Sequence, residues 1–265
     1  MSEPIQIHVD ERGAATITLN RPEVRNAFDD RLIGRLDTAV SDLGADPRIR
    51  VIVLTGAGKA FSAGADINWM RAMAACGHDE NHADALRLAR LMARLDAIGK
   101  PTVARVNGPA IGGGVGLVAC CDIAVASTDA RFGLSEVRLG LIPAVISPYV
   151  IAAVGRRNAR RLFLTGELLN AKQARRAGLV HEIAKPSNLN AAVEDQIAQL
   201  LLGGPVAQRE AKQLIRDITA GPFGPDAMQK HTAELIARLR ASDEGQEGLG
   251  AFLDKRKAAW VGKTR

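Results

Sequence analysis

The sequence predicts a layered α/β fold. Three observations carry that expectation. Short β-rich apolar runs alternate with helix-period stretches over the first 126 residues, glycine-containing loops follow two of those runs, and the chain beyond Arg157 reads as almost wholly helical. A chain of 265 residues is one large domain, or one domain with an appendage, and is long enough to bury a substantial core. Hydrophobic residues make up 47% of it but aromatics only 3%, so that core has to be packed from Ala, Val, Leu and Ile.

The elements follow in order. Ile5 to Val9 alternates and Ala15 to Leu19 is β-rich, with Glu11-Arg12-Gly13 as the turn of an opening hairpin. Asn20-Arg21-Pro22 ends it. Asp29 or Asp30 caps a helix whose apolar positions Leu32, Ile33, Leu36, Ala39, Val40 and Leu43 keep the helical period. Residues 50–55 (RVIVLT) read as a buried strand ending in Gly56-Ala57-Gly58, and 83–98 as an amphipathic helix halted by Pro101. Thr102 to Val106 is a further strand, followed by a glycine cluster, a helix into Cys121 and a short strand from Asp122 to Ala126. Helices are expected near 157–163, 171–177, 189–202, 205–220, 226–241 and 244–258, with Gly203-Gly204-Pro205 as the best boundary between two regions.

Composition narrows the function classes. The net charge of +6 fits an Arg-rich solvated surface or attraction of an anionic partner, a phosphate-bearing cofactor or nucleic acid. Few aromatics are available for base stacking, which argues against nucleic acid. Cys76, Cys120 and Cys121 give neither a disulfide framework nor metal-ligand spacing. The apolar run Ala110 to Val125 is broken by four glycines and Asp122, so it is not a membrane span, and Met1 to Asp10 lacks a signal-peptide pattern. The expectation is a cytoplasmic protein with no membrane partner.

Two segments are suited to holding a negatively charged oxygen. Lys59-Ala60-Phe61-Ser62-Ala63-Gly64-Ala65-Asp66-Ile67 follows a buried strand and is rich in small residues, so its N–H groups can form a concave donor surface. A tight connection with no ligand would look the same. The second, Asn107 to Gly116, joins a strand to the start of an apolar helix, where free N–H groups and the helix dipole favour an anion. Its glycines do not fit G-x-G-x-x-G, because Leu117 stands at the last glycine position, and the chain has no Walker loop, G-x-S-x-G elbow or H-E-x-x-H pair. An oxyanion site still needs an acid or base. Glu136, between Phe132-Gly133-Leu134-Ser135 and Leu139-Gly140-Leu141-Ile142-Pro143, is the best candidate, since apolar neighbours raise a carboxyl pKa. A surface glutamate or helix cap is the plain alternative.

Together these residues resemble the enoyl-CoA hydratase/isomerase, or crotonase, superfamily, over nearly the whole chain. The resemblance runs through Leu19 to Pro22, Asn26-Ala27-Phe28, Lys59 to Ile67, Gly112-Gly113-Gly114 with Cys121-Asp122-Ile123, Glu136, Leu139 to Pro143, Leu164-Thr165-Gly166, Ala174 to Val180 and Glu247 to Trp260. It implies a spiral of ββα units over 1–202 carrying an acyl-CoA site, and a helical oligomerisation region over 203–265. It implies no prosthetic group, coenzyme A as the substrate carrier, and a trimer or hexamer. By resemblance, the backbone N–H groups of Ala65 and Gly113 form the oxyanion hole and Glu136 is the catalytic acid-base. Val24, Arg25, Lys59 and the backbone of Ala63, Asp66 and Ile67 line the CoA nucleotide, and Phe252 and Lys255 reach a bound CoA, often that of a neighbouring subunit.

One departure matters. Two-glutamate hydratases carry a second carboxylate just after the triple glycine, and here that position is Gly116. Many enoyl-CoA isomerases also keep one carboxylate. The runs Gly112 to Val118, Cys120 to Asp122, Leu134 to Arg138, Gly140 to Tyr149 and Gly245 to Leu249 are most similar to bacterial methylglutaconyl-CoA hydratases, which tolerate glycine there. The leading expectation is therefore hydration of a 2-enoyl-CoA, with Arg71, Arg138 and Tyr149 as possible partners of an extra substrate carboxylate. Isomerisation by one glutamate is the runner-up. RNA binding, reported for some members of the family, stands behind both.

Overall fold

The computed structural model describes residues 3–221 and 224–262. In chain order the first half forms β1 (Ile5–Val9), β2 (Ala14–Leu19), α1 (Asp30–Ala45), β3 (Val51–Gly56), α2 (Ile67–Ala74), α3 (His78–Ala97), β4 (Thr102–Val106), β5 (Ala110–Ile111), α4 (Gly113–Cys120), β6 (Ile123–Ser127) and β7 (Arg131–Gly133). The second half adds α5 (Ser147–Thr165), β8 (Leu168–Asn170), α6 (Ala171–Ala177), β9 (Glu182–Ala184), α7 (Leu189–Leu202), α8 (Pro205–Ala220), α9 (Pro225–Ala241) and α10 (Asp243–Leu253).

A six-stranded sheet runs in the order β1-β2-β3-β4-β6-β9, parallel except for the opening β1–β2 hairpin. A small sheet, β5-β7-β8, sits beside it. The parallel strands read as unbroken apolar runs because both faces of the large sheet are covered. Along β3, Ile52 and Leu54 enter the main core, while Val51 and Val53 face a second core closed by Leu189, Val193 and Ile197 of α7. In β4 and β6 the same alternation sends Ala104, Val106, Ala124 and Ala126 to the main core and Val103 and Val125 to the other side. The main core is closed by α1, α3, α4 and α5. Small residues on the strands let these helices lie close to the sheet.

Asp29 is the cap of α1, accepting from Leu32 N–H at 2.8 Å. Several boundaries differ from the sequence reading. The helix expected at 83–98 begins at His78, where Glu80 accepts from the Gly77 N–H at 3.0 Å and fixes the first turn. The helix expected at 157–163 begins at Ser147 and is interrupted at Gly155 (φ 73°, ψ 158°). The helix expected at 244–258 ends at Leu253. The short β7, β8 and β9, of three residues each, went unseen, and the region beyond Arg157 is less purely helical than its pattern suggests. Three residues carry too little periodicity to announce a strand.

The helices α8–α10 follow the Gly203-Gly204 break and pack mainly on one another. Glu244 of α10 caps α8, accepting from Val206 and Ala207 N–H at 2.9 and 2.8 Å. Arg50 ties this group to the sheet region by donating to the Gly203 and Trp260 carbonyls, and Lys212 does so through Asp122 at 2.7 Å. Ile215, Ile218, Ile236, Leu249, Phe252 and Leu253 stay exposed on these helices. No helix among the described residues is long and apolar enough to cross a membrane.

Candidate active site

The loop after β3 and the turn before α4 are laced together by backbone bonds. Phe61 and Ser62 N–H donate to the Pro109 carbonyl at 3.0 and 3.1 Å, and Ile111 N–H returns to the Ser62 carbonyl at 2.9 Å. Phe28 makes a parallel bridge to Ala65: its N–H donates to Gly64 at 2.6 Å and its carbonyl accepts from Asp66 at 2.8 Å. Gly64 (φ 84°) turns so close to the partner loop that a Cβ there would lie 2.9 Å from the Ile111 carbonyl oxygen. Only glycine satisfies both the dihedral and the approach.

Among the donors this lacing leaves over are those of Ala65 and Gly113. Among the described residues, neither the Ala65 N–H nor the Gly113 N–H has a hydrogen-bond partner. Gly113 opens α4, so its N–H is one of the helix's unused donors, at the positive end of the dipole. Ala65 is exposed and Gly113 half-buried, so both can meet a ligand.

Glu136 stands beside them. It opens a 3-10 turn (Glu136–Leu139) just after β7, and Gly112 N–H bonds the Gly133 carbonyl at 2.8 Å, joining that strand's end to the α4 turn. Gly112 (φ 51°) faces the carboxylate so closely that a Cβ would come 3.1 Å from Glu136 Oε1. The side chain is half-buried, and Oε2 is buried without a partner among the described residues. Burial pushes its pKa up, partly offset by a bond from its own backbone N–H, and no neighbouring charge opposes the rise. An uncoordinated carboxylate oxygen with a raised pKa suits proton transfer near neutral pH.

The position expected to hold a second carboxylate is closed. Gly116 lies one turn after Gly112 on α4, and a Cβ there would overlap Ile146 Cγ2 and come 3.2 Å from Met92 Cε. Ile146, Met92 and Cys120 are buried, so that space is filled with hydrocarbon and sulfur.

The proposed nucleotide-facing residues divide. Val24, Arg25, Lys59 and Ala63 gather on one loop cluster, because Ala63 N–H donates to the Arg25 carbonyl at 2.9 Å and Asn26 clamps the Arg21–Asn26 turn to the Ala57–Ala60 loop. Ile67 is exposed at the start of α2. Asp66, like Ala63, has its N–H spent, on Phe28, and differs in its buried carboxylate, which caps α2 through Asn68 and Trp69 N–H and pairs with Arg21 at 3.0 Å. Burial raises its pKa, but these bonds and the Arg21 charge together outweigh that and hold it below the ordinary value. Phe252 and Lys255 lie at the end of α10, whose main contacts are α9 and α8. Arg71 is exposed, Arg138 turns toward the Thr165 carbonyl, and Tyr149 packs against the main core.

Sequence reasoning gave no role to two asparagines. Asn26 is fully buried in the left-handed region (φ 57°); its side chain accepts from Arg21 N–H and donates to the Ala57 and Ala60 carbonyls, each at 2.9 Å. Asn107 accepts from Gly56 N–H at 3.2 Å and donates to Gly58 and Ala60. A non-glycine residue with positive φ and a buried amide is the sort of strained anchor found at functional sites.

The fold that carries this site has counterparts among known proteins. The chain belongs to the enoyl-CoA hydratase/isomerase family. The family profile matches residues 10–263. An enoyl-CoA hydratase from Shewanella pealeana superposes with a TM-score of 0.93 at 42% identity, covering 97% of this chain and 96% of that one. Pseudomonas aeruginosa AtuE gives 0.94 at 35% identity, covering 98% and 100%. The 2,3-dehydroadipyl-CoA hydratase of Escherichia coli is 37% identical over 93% of this chain and 94% of its own. The fold is thus the crotonase fold, with two mixed sheets and C-terminal helices, and the protein is an enzyme of CoA thioesters, a chemistry that needs no prosthetic group.

Proposed function

We propose that the protein is a single-glutamate enoyl-CoA hydratase, adding water across the 2,3 double bond of a branched enoyl-CoA such as methylglutaconyl-CoA. The observation that carries the reading is the convergence of two unpartnered N–H groups, Ala65 and Gly113, with the unpartnered oxygen of Glu136. The thioester oxygen accepts from both N–H groups. Ionised Glu136 takes a proton from water as its oxygen bonds to C3, and charge moves onto the thioester oxygen as an enolate. Glu136 then returns the proton to C2 on the same face. Each preorganised donor contributes about 3 kcal/mol to this transition state. With Gly116 packed against Ile146, one carboxylate serves both proton steps.

The CoA nucleotide is assigned to Val24, Arg25, Lys59, Ala63 and Ile67, with Ala63 offering its carbonyl because its N–H is spent. Phe252 and Lys255 are assigned to the CoA of a neighbouring subunit, in a trimer or hexamer built on the exposed apolar residues of α8–α10. Trp69 supports a polar acyl group: its indole N–H is buried without a partner among the described residues, in the first turn of α2, which follows Ala65. The resemblance of residues 112–122 and 134–149 to methylglutaconyl-CoA hydratases supports the branched substrate, and a relative named for 2,3-dehydroadipyl-CoA, an unbranched dicarboxylic thioester, supports the extra carboxylate.

Closure of the Gly116 position also favours a second reading, double-bond isomerisation by Glu136 alone. One comparison separates them: product mass and rate with crotonyl-, methylglutaconyl- and 3-enoyl-CoA. Hydration adds the mass of one water and removes the conjugated thioester absorbance. A product of unchanged mass from the 3-enoyl thioester, with no hydration of either 2-enoyl substrate, would replace hydratase by isomerase.

A further inference from the structure

The charge of this protein is not spread over its surface. Residues 156–176 contain seven Arg or Lys against Glu167 alone, and the rest of the chain holds 28 basic and 28 acidic residues. The net charge of +6 thus resides on the second half of α5 and on α6. Arg156, Arg157, Arg160, Lys172, Arg175 and Arg176 are exposed, and none has a carboxylate partner among the described residues. Elsewhere most arginines on the surface are matched, as Arg12, Arg35, Arg48, Arg94, Arg238 and Arg256 are. Arg156 and Arg160, like Arg157 and Arg161, stand four apart on one helix, where like charges repel.

Two concavities open on this face. One, of about 220 Å³, lies between Asn158, Arg161, Leu162, Gln173 and Arg176. The other, of about 530 Å³, lies along Arg157, Asn158, Arg160 and Arg161. They share Asn158 and Arg161. Arg161 is held rigid by Glu167 through two bonds of 2.6 and 2.7 Å. The Gln173 carbonyl is spent on Asn170 N–H, and its amide N–H groups have no partner among the described residues. The wall is thus rich in donors and cations, with no uncommitted carboxylate.

We propose that the α5–α6 cleft binds a small oligophosphate, separately from the CoA site. Guanidinium pairs fit phosphate oxygens bidentately. The cavity sizes suit a small molecule, and the face lacks the exposed aromatic rings that stack nucleic-acid bases. A second copy of the chain is a poor occupant, because its acidic residues occur in runs of two at most.

The test is titration calorimetry with tripolyphosphate on the whole enzyme, with CoA saturating so that its own phosphate site is filled. Wild type should bind one tripolyphosphate per chain, more weakly as salt rises. R157E/R160E/R176E, and the milder R157Q/R160Q/R176Q, should weaken binding at least tenfold while keeping oligomeric mass. No saturable binding in the presence of CoA, equal binding by wild type and both variants, or a changed oligomeric mass in both variants would overturn the proposal. So would binding of a single-stranded RNA without binding of tripolyphosphate. None of these outcomes depends on which reaction Glu136 performs.

Discussion

The two sides of the candidate site are built in opposite ways. The donor side is over-determined: Phe28, Ser62, Gly64, Asp66, Ile111 and the two asparagines fix Ala65 and Gly113 through backbone and buried amide bonds. The base side is one side chain on a short 3-10 turn, with a raised pKa and a carboxylate oxygen that no described residue bonds. Leu139, Leu141 and Ile142 beyond it are exposed. Donors that act by position have to be rigid before the reaction, whereas a base that moves one proton between water and carbon needs reach and an unspent lone pair. The donor side is therefore stabilising and the base side costs stability.

That contrast is broken most severely at the base. Glu136→Gln should lower hydration by about 10²–10⁴-fold while acyl-CoA binding, read by calorimetry, stays within a few-fold. The donor side is next: a methyl in Gly113→Ala would overlap the Phe28 ring, so kcat/KM should fall by about 10²–10³-fold, with KM moving less than kcat. Asn26→Ala should cost about 1–3 kcal/mol of stability, measured by chemical denaturation, and lower kcat with it, because three backbone groups lose their bonds to a buried amide.

The sign of the base-side cost is also measurable. Burial holds the Glu136 carboxyl above its unfolded pKa, so its contribution to stability is full below the ordinary carboxylate range and is lost as pH rises through the raised value. Glu136→Gln should therefore raise Tm at neutral pH, and the gain should close as pH falls below the ordinary carboxylate range. In wild type, kcat/KM should fall on the acid side at a pH above that range, and the variant's residual rate should lack that limb. The smallest effect is expected at Trp69→Phe, a few-fold loss for methylglutaconyl-CoA with crotonyl-CoA unchanged.

The same contrast sorts what the sequence made legible. The two glycine loops stood out because strands with strong apolar runs precede them, and Glu136 because it lies among apolar neighbours, whereas Ala65 and Gly113 were singled out within those loops by the family resemblance. The large sheet was readable for the same reason: β2, β3, β4 and β6 are covered on both faces. The bonds that Asn26 and Asn107 make join residues 26 with 57–60 and 107 with 56–60, and local periodicity carries no trace of such pairs. That Ile146 fills the Gly116 position was hidden likewise, since Ile146 stands just before a different helix, α5. The Asp66 carboxylate also caps α2, a role its place just before that helix could have suggested.

The most direct test of the account is the hydration rate of Glu136→Gln on the best 2-enoyl-CoA substrate, followed by absorbance and product mass, with acyl-CoA affinity measured on the same sample. The account predicts hydration lost by at least about a hundredfold with affinity retained. A variant that still hydrates at more than a tenth of the wild-type rate would contradict it and require another group to carry the proton.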